Sequence, residues 1–287
     1  MHGLYWERND FALQGPLGQS GLIVTPPHEE ALARLEYLVG QRRRFGLMLG
    51  PAGTGKTLVL RTAAREAKRL GREVAMIDLF GIDSHDLLWQ LAIALRLGPT
   101  ERWSHATLWR SVCDHWHALH SARLPSVLLF DHWERAEVDC HSLIERLLHL
   151  DVTNDGGLTI LAAAREGLEE CSIGDLSEQS ELRIELPALS QRETEFFIRE
   201  LLGNSGGHRE IFRRDALVTL FDLSGGVPRE IVRLCRLALA AAERDDLDRV
   251  DSTTLLDVAG ELPRPAHHRE RSGVRSSNFI FGHAIHP

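Results

Sequence analysis

Gly50-Pro51-Ala52-Gly53-Thr54-Gly55-Lys56-Thr57 fits the pattern G-x-x-x-x-G-K-[ST] at every fixed position. The apolar run Phe45 to Leu49 precedes it, and a helical pattern from about Lys56 to Leu70, stopped by Gly71, follows it. Strand, glycine-rich turn and helix in that order form the context in which such a loop wraps a phosphate. Glycines let backbone N–H groups close around the oxygens where side chains would block the approach, and the helix N-terminus adds partial positive charge. The Lys56 ammonium suits the β- and γ-oxygens, and the Thr57 hydroxyl suits Mg²⁺. The expected ligand is ATP or GTP with Mg²⁺, held by Gly50, Pro51, Ala52, Gly53, Thr54, Gly55, Lys56 and Thr57. A chance glycine-rich turn would not need this flanking pattern.

Such a loop needs an acidic partner for the metal at the end of a neighbouring strand. Ser126-Val127-Leu128-Leu129-Phe130 is an apolar strand that ends in Asp131. Asp131 is therefore the candidate second metal ligand; an Asp capping a loop is the alternative. His132, Trp133 and Glu134 come next. Glu134 stands close enough along the chain to position an attacking water, or it is a solvated loop acid. A neutral His132 also has the chemistry to accept a proton.

Outward from this centre, Ala31, Leu32, Leu35, Leu38 and Val39 recur at helical spacing from Pro27, with Arg42, Arg43 and Arg44 expected in the last turn as cations on the helix dipole. Glu73 to Leu79 and Leu158 to Ala164 read as further strands, and residues 83–97, 105–122 and 138–150 as helices. Strands apolar on both faces and alternating with helices imply an α/β fold, a three-layer αβα core with a parallel sheet. After Pro187 only helical patterns remain, at about 191–202, 215–222, 228–243 and 251–259, which predicts a small all-helical lid. The expected organisation is an extended lead-in over 1–26, a P-loop core over 27–186, a lid over 187–262 and a disordered tail over 263–287.

The 287 residues are 43% hydrophobic and 26% charged, an ordinary globular composition. A formal charge of -8 gives no global basic field to attract nucleic acid or anionic lipid. Cys113, Cys140, Cys171 and Cys235 have no framework spacing and read as reduced thiols. The start lacks the pattern of a signal peptide, and no stretch approaches the ~18 apolar residues of a membrane span, so a cytoplasmic location is expected. Cys113, His117 and His120 share one helical face, but a His-rich amphipathic helix explains them without a metal. Arg42–Arg44 also admit phosphate-backbone binding.

Four stretches carry a resemblance to AAA+-type ATPases, in the branch of the general secretion pathway, transposition and origin-recognition-type ATPases. They are His28-Glu29-Glu30-Ala31-Leu32-Ala33-Arg34-Leu35, the phosphate loop, Leu182–Leu189 with Ser190-Gln191-Arg192-Glu193-Thr194-Glu195, and Ser224-Gly225-Gly226-Val227-Pro228-Arg229. The resemblance covers roughly residues 5–245. It implies that Arg229 points at the γ-phosphate, against the alternative of an ordinary helix-start arginine. It also implies that Arg165, at the end of Leu158–Ala164, reads the γ-phosphate as in the signal-transduction branch; a surface arginine at a strand end is the other reading. The sequence departs from the pattern at His132, where the usual catalytic Glu would stand.

The expected activity is Mg²⁺-dependent ATP hydrolysis coupled to lid movement and a protein partner, with Lys56, Asp131, Glu134, Arg165 and Arg229 as catalytic candidates. ATP is favoured over GTP because no guanine motif is evident and the resemblance points to adenine. Two other readings stand: a nucleotide-dependent switch that hardly turns ATP over, favoured by His132, and a DNA-associated ATPase, disfavoured by the acidic balance. A homo-oligomer is compatible with the resemblance.

Overall fold

Alternation of core-facing side chains along buried strands builds the sheet. In the computed structural model, which describes residues 23–150, 157–166, 179–204 and 211–262, five strands form one sheet. They are β1 (Phe45–Gly50), β2 (Glu73–Asp78), β3 (Ser126–Asp131), β4 (Leu158–Arg165) and β5 (Leu182–Glu185). The order is β2-β3-β4-β1-β5, and every pairing is parallel. Phe45, Leu47, Leu49, Leu128, Phe130, Ile160 and Ala162 face one hydrophobic layer; Met48, Val127, Leu129, Leu161 and Ala163 face the other. Both faces are thus covered, as a parallel sheet requires.

Helices α1 (Pro26–Gly40) and α2 (Lys56–Arg69) cover one face. Helices α3 (Ser84–Ala94), α4 (His105–Ser121) and α5 (Val138–Leu150) cover the other. Short polar side chains start two of these: Asp83 accepts from the Asp86 N–H, and Ser104 from the Thr107 N–H. The sequence-predicted elements agree with these spans to within a few residues. β5 is brief and only Ile184 in it is buried, which suits an edge strand.

One sequence expectation is corrected. Helix α1 ends at Gly40, so its last turn carries no basic residue. Arg42 instead turns the chain at φ 52°. The Arg44 N–H donates to Glu181 at 2.9 Å, the Arg43 guanidinium lies 3.3 Å from the same carboxylate, and the Arg44 guanidinium donates to the Leu148 carbonyl. The Arg42 and Arg43 N–H groups still donate to the Val39 and Leu38 carbonyls at the end of α1, but the Arg43 and Arg44 side chains fasten the turn into β1 rather than lie in the helix's last turn.

Helices α6 (Gln191–Asn204), α7 (Arg214–Ser224), α8 (Pro228–Arg244) and α9 (Ser252–Gly260) form the all-helical lid around their own apolar core, which includes Phe197, Ile198, Leu220, Ile231, Cys235, Ala238 and Leu255. Ile23, from the lead-in, packs against that core as well. The expected tail over 263–287, most of the lead-in and Cys171 lie outside the described residues. No helix among the described residues is long and apolar enough to cross a membrane.

Candidate functional site

The site forms where the C-terminal ends of β1, β3 and β4 meet the start of the lid, the crevice position expected for an open α/β sheet. Gly55 caps the N-terminus of α2 in the left-handed region, at φ 105°, and Gly53 stands at φ 89°. Space also demands these glycines. A Cβ on Gly53 would come within 2.9 Å of the Arg229 Cβ, and one on Gly55 within 2.9 Å of the His28 Nε2. The loop is therefore clasped between the lid and α1.

Within the loop, Lys56 Nζ donates to the carbonyl oxygens of Gly50 at 2.7 Å and Pro51 at 2.8 Å. The Thr54 hydroxyl donates to the Pro51 carbonyl at 3.0 Å. Burial draws Lys56 below the ordinary lysine value, opposed by the charges of Glu134 and Asp131 and reinforced by Arg165 and Arg229. The other four catalytic candidates, Asp131, Glu134, Arg165 and Arg229, all lie close enough for Lys56 to feel their charge.

Asp131, only 3% exposed, receives the Thr57 hydroxyl at 2.5 Å on Oδ2. A hydroxyl and a carboxylate side by side form a hard oxygen donor set of the kind Mg²⁺ takes with waters and phosphate oxygens. These two residues fit that metal.

The chain leaves β3 through His132 in the left-handed conformation, φ 53° and ψ 43°. Such a conformation costs about 1–2 kcal/mol for a residue with a Cβ. Two contacts hold it. The His132 Nδ1 lies 2.8 Å from Asp78 Oδ1, at the end of β2, and Trp133 is buried and stacked on His141 with ring centroids 4.5 Å apart. Anchoring Trp133 opens a 3₁₀ turn that aims Glu134 at the end of β4, where its Oε2 accepts the Arg165 N–H at 3.2 Å. Arg165 itself pairs in register with Gly50, the first residue of the phosphate loop.

From the lid, Gly225 and Gly226 at φ 58° and 72° turn the chain into α8. Pro228 occupies its first turn, and the Arg229 N–H donates to the Gly53 carbonyl at 3.2 Å. One cleft is lined by loop residues from Ala52 to Thr57 together with Asp131, Glu134, Arg165 and Arg229; Gly50 and Pro51 are not among its lining residues and meet the site through their carbonyls, which bind Lys56. The same cleft reveals residues that sequence reasoning missed as site residues. Ile23, Phe197 and Pro228 add apolar lining to it, and His28 adds an imidazole. His28 was visible only as part of a helix, and its loop contact spans 26 positions.

Cys113, His117 and His120 are not brought into a metal cage: no cluster of three or more His, Cys, Asp or Glu able to hold a metal is found among the described residues. His117 and His120 instead line a separate hollow with Trp116 and Leu158.

Fold and site together resemble the P-loop domains of AAA+ ATPases. Residues 39–171 match the family described as AAA domain. General secretion pathway protein A of Aeromonas hydrophila is 28% identical over 258 residues, which is 88% of this chain and 45% of that protein. The chain thus spans less than half of that relative's length. Among solved structures, Cdc6p from Pyrobaculum aerophilum aligns with a TM-score of 0.67 at 17% identity, over 84% of this chain and 68% of that one. The Aeropyrum pernix ORC1 protein, solved in complex with DNA, aligns at 0.63 and 19% identity, over 88% and 69%. These two show a shared fold, and the secretion-pathway relative carries a name from the group that the sequence resembles.

Proposed function

We propose that this chain is a Mg²⁺-dependent regulatory ATPase of the cytoplasm that passes the state of its nucleotide, through the lid, to a protein partner. The observation that carries the reading is the hydrogen bond between Thr57 and Asp131 beneath a loop whose lysine also feels Glu134, Arg165 and Arg229. In this reading the loop N–H groups and Lys56 hold the β- and γ-phosphates, and Thr57 and Asp131 hold Mg²⁺. The metal, when bound, neutralises phosphate charge as the β–γ bond breaks. Glu134 orients the attacking water, with its carboxylate steadied by the Arg165 N–H. Arg165 and Arg229 place positive charge beside the γ-phosphate from the core and from the lid.

The apolar lining that Ile23, Phe197 and Pro228 contribute supports a purine base in contact with both the lead-in and the lid. The bond from the Arg229 N–H to the Gly53 carbonyl ties the first turn of α8 to the phosphate loop. That contact supports nucleotide-coupled lid movement.

A second reading, a switch that binds ATP but hardly hydrolyses it, draws on His132. It occupies the position of the usual catalytic Glu, and its ring is engaged by Asp78. A DNA-associated role draws on the Aeropyrum pernix ORC1 complex, against a net charge of -8. Steady-state phosphate release by the purified protein with Mg-ATP, with and without DNA, separates the three. Release that ignores DNA supports the regulatory ATPase, and DNA stimulation supports the third reading. Binding without release supports the switch.

A further inference from the structure

His28 stands in the first turn of α1, outside the phosphate loop, yet it is 2% exposed and touches the loop directly. Its Nε2 lies 2.9 Å from the carbonyl oxygen of Thr54, and its Nδ1 lies 2.6 Å from the hydroxyl of Thr25. Thr25 and Thr54 are themselves 0% and 1% exposed, so water does not compete at either end. A carbonyl can only accept, so Nε2 must carry the proton; in the neutral ring Nδ1 then accepts from Thr25. Thr25 is a fixed base for this relay, because its own carbonyl accepts the N–H groups of His28 at 2.8 Å and Glu29 at 2.9 Å.

The consequence lies in the next peptide bond. The Thr54 carbonyl and the Gly55 N–H belong to one planar trans unit and point in opposite directions. Holding the carbonyl against His28 turns the Gly55 N–H away from the ring. Gly55, at φ 105° with no Cβ, is otherwise free to let that peptide rotate.

We propose that His28 is a positioning residue for the nucleotide: through the Thr25–His28–Thr54 relay it fixes the orientation of the Thr54–Gly55 peptide, and so of a phosphate-binding N–H, from outside the loop. Burial lowers the basicity of His28, which keeps the ring in the neutral form that can accept from Thr25. The inference rests on the reading of the loop as a nucleotide site and adds a residue to it.

The test measures affinities for ADP and for a non-hydrolysable ATP analogue, by titration calorimetry with Mg²⁺, in wild type, His28→Ala, His28→Asn and His28→Gln. The glutamine amide nitrogen reaches about as far as Nε2, whereas the asparagine amide reaches only as far as Nδ1. His28→Ala and His28→Asn should weaken both nucleotides about tenfold, the scale of one buried hydrogen bond. His28→Gln should stay within about threefold of wild type, and Thr25→Val should fall between. Melting of each nucleotide-free variant reports whether it folds, and His28→Gln carries the test if His28→Ala does not. Equal affinities in wild type and His28→Asn, or equal losses in the Gln and Asn variants, overturn the proposal. A Lys56→Ala control keeps the two claims apart. If wild type binds, Lys56→Ala does not and the His28 variants bind normally, only this inference fails. If wild type binds no nucleotide, the reading of the site fails with it.

Discussion

The hydroxyl of Thr57, at the start of α2, donates to the carboxylate of Asp131, at the end of β3, over 2.5 Å. The two residues are 74 positions apart in sequence, and the sheet order that sets β4 between β1 and β3 still leaves them in contact. Two oxygen ligands are thereby arranged side by side.

It follows that Asp131→Asn should spare much of the nucleotide affinity but abolish its dependence on Mg²⁺, since Asp131 acts through the metal. Titrations with ADP and an ATP analogue, with Mg²⁺ or with EDTA, measure this. Wild-type binding that ignores EDTA would remove the assignment of Thr57 and Asp131 as ligands.

Glu134 is held toward the end of β4 by the Arg165 N–H. If it orients water, Glu134→Gln should cut turnover by roughly 10²-fold or more while ATP still binds. Phosphate release under saturating Mg-ATP is the measurement. Unchanged turnover would pass the role to His132, or to no residue of this turn.

Arg229 should report the γ-phosphate, because a lid cation shifts the lid only through different affinities for the ATP and ADP states. Arg229→Ala should narrow the preference for an ATP analogue over ADP by about 1–3 kcal/mol. Its backbone bond to Gly53 does not depend on the side chain, so the loop should survive the substitution. A mutant with the wild-type ratio would leave Arg229 a helix-start cation and move the coupling to Arg165.

What the sequence disclosed divides by the range of the contacts. The loop from Gly50 to Thr57 was legible because its chemistry demands fixed residue types at fixed spacing. β3 was legible because all six residues from Ser126 to Asp131 are buried, which leaves an unbroken apolar run before the acid. Helix α5 matched its predicted span, with Cys140, Leu143, Ile144, Leu147 and Leu148 buried along it at helical spacing. The partners of His132 and His28 were not legible. Asp78 lies 54 positions from the first and Thr54 lies 26 from the second, and no local pattern marks either meeting. Strand order was hidden for the same reason. The arginines after α1 were misread because Gly40 ends the helix before them, a boundary that charge alone did not locate.

His28 also gives the fold a pH dependence. Burial lowers its pKa from the ordinary value of 6.5, against the raising effects of its bond to Thr54 and the charge of Glu193 on α6. The unfolded chain therefore binds a proton that the folded chain resists, and stability declines as pH falls through 6.5 toward the folded value. Melting temperatures at about pH 7.5 and about pH 5.5 should differ more in wild type than in His28→Gln, which lacks the titrating ring. Identical differences in the two proteins would show that His28 does not titrate in this window.

Residues 50–57 should bind Mg-ATP, and calorimetric titration of wild type against Lys56→Ala decides whether they do. The Lys56 ammonium lies against the Gly50 and Pro51 carbonyls and is the one charged side chain in residues 50–57. Wild type should bind Mg-ATP clearly and the mutant should lose at least about tenfold in affinity, the scale of a charge-assisted contact. Equal affinities in the two proteins, or no binding by either, would contradict that assignment.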